Sequence, residues 1–76
     1  MAKNERPALR ISLSIRGEKP WAEHFELAHL EWVKRLARRY REERIEAGGS
    51  VRLSHAYVPS HWSLPELEDI MERVAS

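Results

Sequence analysis

A chain of 76 residues without cysteine carries 33% charged side chains that nearly cancel, to a formal net charge of +1. That length allows one small domain, the lack of thiols excludes disulfides and thiolate metal sites, and the charge balance excludes a protein held on nucleic acid by bulk charge alone. No apolar run approaches a membrane span and the first residues are charged, so the expectation is a cytoplasmic protein without membrane contact.

Residues 1–7 read as a flexible lead-in and 8–76 as one domain. "ALRISLSIR" alternates without a fault: Leu9, Ile11, Leu13 and Ile15 on one face, Arg10, Ser12, Ser14 and Arg16 on the other. Period two means a strand with one buried face. Gly17 to Pro20 break the run. From Trp21 the spacing turns helical. Trp21, Phe25, Ala28, Trp32, Leu36 and Tyr40 share a broad face, which predicts a helix over 21–46. Glutamates fill its early turns and arginines its late ones, matching the helix dipole. Gly48-Gly49 supplies the exit.

"SVRLSHAYV" alternates again, and Pro59 stops it. A second helix is predicted over 64–75, with Ser63 and Glu66 at capping-box spacing and an apolar stripe of Leu64, Leu67, Ile70, Met71 and Val74. The predicted fold class is therefore α/β: a two-stranded β-α-β unit followed by a C-terminal helix. A helix between two strands of one sheet makes them parallel, with a right-handed crossover. Two strands leave edges open and a small core, so a homodimer that extends the sheet is also expected.

Chemistry is sparse. In "WVKRLARRYREER" six of the residues from Trp32 to Arg44 are Lys or Arg. Lys34, Arg38 and Arg41 cluster on the side away from the predicted core, with Arg35 beside them. Glutamates at helical spacing (Glu31 for Arg35, Glu42 for Arg38, Glu43 for Arg39) offer weak local pairing. His24 and His29 are spaced wrongly for a zinc pair on a helix. His29 and His55 both aim at the predicted core, where a hydrogen-bonded pair is the simpler reading than a metal site. No nucleophile turn is present, Gly48-Gly49-Ser50 follows a helix instead of opening one, and the paired carboxylates Glu42-Glu43 and Glu68-Asp69 sit at surface positions. No catalytic residue, metal or cofactor is expected.

A strand, a long helix and a second strand beginning "SVRL" is similar in order to the small tautomerases of the oxalocrotonate type, over about residues 7–58. That resemblance implies an enzyme with an amino-terminal proline as general base. Pro7 lies inside this chain, Ala2 follows Met1, and the chain closes on a capped helix where the family has a hairpin. The residues themselves favour a different expectation: a small regulatory or inhibitory protein that binds another macromolecule, most simply a protein. Lys34, Arg35, Arg38 and Arg41 are its first surface, and the polar strand face with Arg10, Arg16 and Arg52 is its second. Sequence-blind nucleic-acid binding through the same cations is the alternative.

Overall fold

A computed structural model describes residues 4–44 and 48–76. Its elements are β1 (Glu5–Ser14), β2 (Trp21–Phe25), a short 3₁₀ turn (Leu27–His29), α1 (Leu30–Arg44), β3 (Ser50–Pro59) and α2 (Leu67–Ala75). The sheet has three strands in the order β2-β1-β3, and both pairings are antiparallel. The expected two-stranded parallel β-α-β unit is therefore wrong in strand number and in direction. Its likeness to the tautomerases, which rested on a parallel crossover, goes with it; Pro7 sits within β1, opposite Tyr57.

The difference traces to residues 21–29. Trp21 to Phe25 form a strand, not the opening of a helix. After β1 the chain turns through Ile15–Glu18, where Glu18 N–H donates to the Ile15 carbonyl at 2.9 Å and Gly17 takes φ +85°. A positive φ at the third turn residue is the type II requirement that glycine meets without strain. The chain then folds back beside β1, with Phe25 opposite Leu9 and Trp21 opposite Leu13. A hairpin reverses direction, so α1 starts only at Leu30 and returns the chain to β1's other side for an antiparallel β3.

Directly paired residues share a face of a sheet. Leu9, Ile11, Leu13, Phe25 and the half-buried Val51 and Leu53 thus form one face. Val33, Leu36 and Ala37 of α1 and Ile70 of α2 close over it, and all four are buried. Both helices lie on this side. Glu23, on the same face, is only 18% exposed. Arg73 of α2 reaches it, with Nη1 2.7 Å from both carboxylate oxygens, and also contacts the Tyr40 hydroxyl (3.3 Å) and Asp69 (3.0 Å). Its guanidinium is held even further above its ordinary pKa, first by the Glu23 hydrogen bond and against the pull of burial.

Two smaller expectations also shift. α2 begins at Leu67 with Glu66 as its N-cap, and no side chain bonds at that cap, so the Ser63–Glu66 box does not form. Beyond α1, residues 45 and 46 of the expected helix lie outside the described residues. Gly48 has φ +71°, and Gly49 N–H donates to the Arg44 carbonyl at 3.2 Å. A Cβ at Gly49 would stand 2.9 Å from the Ser14 carbonyl, closer than a side chain tolerates.

A strand at 21–25 separates two substitutions that a helix would treat alike. Phe25→Ala empties a fully buried site and should cost about 3–5 kcal/mol. Ala28→Ser alters a residue exposed in the 3₁₀ turn and should stay within about 0.5 kcal/mol. Urea unfolding of both variants measures this; a large cost at Ala28 would restore the helix.

Candidate functional site

Three surfaces could carry function. The first is α1. Lys34, Arg35, Arg38 and Arg41 are all exposed, as the sequence reading placed them, but the structure divides them. The Arg35 guanidinium lies over the Trp32 ring, 4.6 Å from its centroid. Arg41 leans to the edge of the sheet, where its Nε donates to the Val51 carbonyl at 3.4 Å, a long bond. Lys34 is 3.7 Å from Glu31, with both side chains mostly exposed; Glu31 thus turns to Lys34, not to Arg35. Of the other expected pairs, Arg39–Glu43 is present at 3.4 Å, and Arg38 has no carboxylate within 4 Å among the described residues. Residues 34, 38 and 41 recur at helical spacing. They therefore share the flank of α1 that overlooks β3, as the Arg41–Val51 contact fixes.

The second surface is the sheet face that carries no helix. Register places Arg10, Ser12, Ser14, Ala22, His24, Arg52, Ser54 and Ala56 there. Arg10 stands opposite His24 on one side and Ser54 on the other, and Arg52 opposite Ser12, so the two arginines are diagonal neighbours. Arg16, the third expected cation, is set apart in the β1–β2 turn. One end of this face is covered: Ala8 and Val58 are buried, Trp62 stands edge-on to His24 at 5.7 Å, and Arg6 Nη2 donates to the Trp62 carbonyl at 2.7 Å. Arg6 Nη1 also reaches Glu26 at 3.3 Å. Sequence reasoning missed this flap. Nothing local to Trp62 shows that Arg6 waits across the sheet.

Third is a cavity of about 470 Å³ where the hairpin turn meets the late turns of α1. Leu13, Ile15, Trp21 and Tyr40 line its apolar part, and Glu18, Lys19 and Arg44 stand at its rim. Trp21 and Tyr40 meet edge to face at 6.4 Å, and Trp21 remains 48% exposed. A volume of this size suits a small ligand, but the rim charges are mixed and select no ligand class. The sequence placed Trp21 and Tyr40 on the core face and did not foresee the opening between them.

The histidines do not build a site. His29 ends the 3₁₀ turn, half-buried, and His55 is exposed on β3; the expected core pair does not form. Among the described residues no three His, Asp or Glu side chains converge as metal ligands would. No described helix is long and apolar enough to cross a membrane. Compared with protein-family models, with curated proteins and with solved structures, the chain matches none.

His24 titrates below its ordinary value, first because it is partly buried and second because Arg10 repels its cation. The unfolded chain then binds more protons than the folded one just below the ordinary value of 6.5. Folded stability therefore falls as pH drops through that window and is intact above it. Replacing Arg10 with Gln should raise the His24 midpoint while leaving it below the ordinary value, since burial persists. NMR titration of the ring protons reads this directly; an unmoved midpoint would remove Arg10 as a cause.

Proposed function

We propose that this chain is a small non-enzymatic interaction protein that acts as a regulator or inhibitor by docking α1 onto an acidic surface of another protein. The observation that carries this reading is the flank formed by Lys34, Arg38 and Arg41. All three are exposed, and among the described residues the single carboxylate within 4 Å of any of them is Glu31, itself solvated at 3.7 Å from Lys34. A pair of that kind contributes at most about 1 kcal/mol, so the row is electrostatically available. Arginine adds a planar fork that suits carboxylates. Arg35, stacked on Trp32, is preorganised to join at the row's side.

A second reading, phosphate contact with nucleic acid, has support in the uncovered sheet face. Arg10 and Arg52 stand there as diagonal neighbours among small side chains. Trp62 and His24 pack against each other at one end, which leaves little aromatic surface for bases to stack on. Binding of this kind would be indifferent to sequence and steeply salt-dependent.

Two variants separate the readings. Lys34→Glu/Arg38→Glu/Arg41→Glu should keep its circular dichroism, because all three residues are exposed, yet lose a specific acidic protein that the wild type retains at moderate salt. Arg10→Ala/Arg52→Ala should retain that protein. If the sheet-face pair instead abolishes binding to generic RNA or DNA, and lowers the log–log salt slope by about one per arginine, nucleic acid is the partner. Retention of every captured partner by the α1 variant would overturn the proposal.

A further inference from the structure

β3 is an edge strand as long as β1, while β2 is half that length. In an antiparallel pair, residues alternate between those whose N–H and C=O both face the neighbour and those whose groups both face away. Two contacts set the phase in β3. Ser60 N–H donates to the Asn4 carbonyl at 2.6 Å, continuing the even-numbered residues toward β1, whereas the Val51 carbonyl accepts a bond from Arg41, outside the sheet. The backbone groups of Val51, Leu53, His55 and Tyr57 therefore point off the open edge. Among the described residues, the long bond from Arg41 is the one side-chain hydrogen bond that this edge receives.

The charge around the edge is mostly positive, with Glu31 beside Lys34 as the acidic neighbour. Lys34, Arg38 and Arg41 overlook it from α1, Arg52 stands on its other face, and β3 contains no acidic residue. Resting on the reading of α1 given above, we propose that the acidic partner docks as an additional β-strand along β3, with its carboxylates turned up to Lys34, Arg38 and Arg41. Side chains on one face of a strand repeat about every 6.8 Å. Cations three or four residues apart on a helix repeat about every 4.5–6 Å. Long flexible side chains bridge that mismatch. At the far end of the same face, Tyr57 is 69% exposed and offers a seat to an apolar residue of the incoming segment. The occupant is thus an extended peptide, acidic near Val51 and Leu53 and apolar near Tyr57. Main-chain bonds would supply affinity and the cations selectivity.

A second copy is the less favourable occupant. Pairing β3 with itself would bring two α1 cation rows to the two sides of one seam, with no carboxylate on either strand to offset them. Charge beside an edge is a known guard against self-pairing, and Arg41 on the Val51 carbonyl already serves that end.

The test uses the whole protein and a blocked peptide, as long as β3, that alternates Glu with Val and ends in one Tyr. Two control peptides accompany it, one with Lys in place of Glu and one with N-methyl groups on the amides of one strand edge. The Glu peptide should bind one to one and protect the amide protons of Val51, Leu53, His55 and Tyr57 from exchange. N-methylation should weaken binding about tenfold or more, as loss of two main-chain hydrogen bonds implies; the Lys peptide should not bind. Arg38→Glu/Arg41→Glu should also weaken the Glu peptide at least about tenfold. If charge reversal weakens binding but N-methylation does not, the partner meets α1 without joining the sheet, and strand addition fails while the reading of α1 stands. Loss on N-methylation without loss on charge reversal would keep the strand and overturn the role of α1. No binding of the Glu peptide, or protection of the same four amides by concentration-dependent dimerisation without peptide, overturns the proposal.

Discussion

The structure depends on β1 having a single greasy side. Its backbone is paired along its whole length by β3 and over Leu9–Leu13 by β2, so its side chains decide where everything else goes. Leu9, Ile11 and Leu13 require cover, whereas Arg10, Ser12 and Ser14 require water. Among the described residues, one layer of helices follows on one face and none on the other. The two ends of the sheet are finished by special devices. The Trp62 flap covers one end of the opposite face, and at the other end of the sheet Gly49 passes so near the Ser14 carbonyl that a side chain there would not fit. Between them lie the features open to a partner: a bare face, a long edge and a helix flank, all polar or charged.

How much of this was legible in the sequence follows from how local each cause is. The alternation in β1 and β3 is strong and self-contained, and so is the apolar spacing of α1 beyond Leu30; these elements lie close to where the sequence reading puts them, although β1 starts at Glu5, inside the segment read as a flexible lead-in, and ends at Ser14. β2 was not legible for two reasons. Five residues cannot separate a period of two from one of three and a half, and Trp21 and Phe25 happen to extend the spacing of α1 backwards. Glu23 completed the deception: an acid on the inward face reads as a helix's wet side. Its partner Arg73 lies fifty residues along the chain, beyond any local pattern. With β2 hidden, the reversal that makes β3 antiparallel was hidden too, and the fold class failed on that single segment.

The candidate surface was legible in part. Counting charges located Lys34, Arg38 and Arg41, because a helix wheel needs only spacing. It could not tell that Arg41 bends to an edge carbonyl or that Arg35 lies on Trp32, since both depend on where the helix is laid on the sheet. Nor could it show that the cations overlook an exposed strand, because the wrong topology left no long antiparallel edge for them to overlook.

The seat of α2 has a consequence for how the molecule loosens. No strand pairing ties this helix down; a buried Ile70 and the grip of Arg73 on Glu23 hold it against the sheet and α1. Heat or denaturant can therefore peel it off as a unit while the three strands stay zipped, a partial opening of lower free energy than global unfolding. Such an excursion would open the side of the core that Ile70 fills, making the last helix the hinge on which resistance to proteases and to clumping turns.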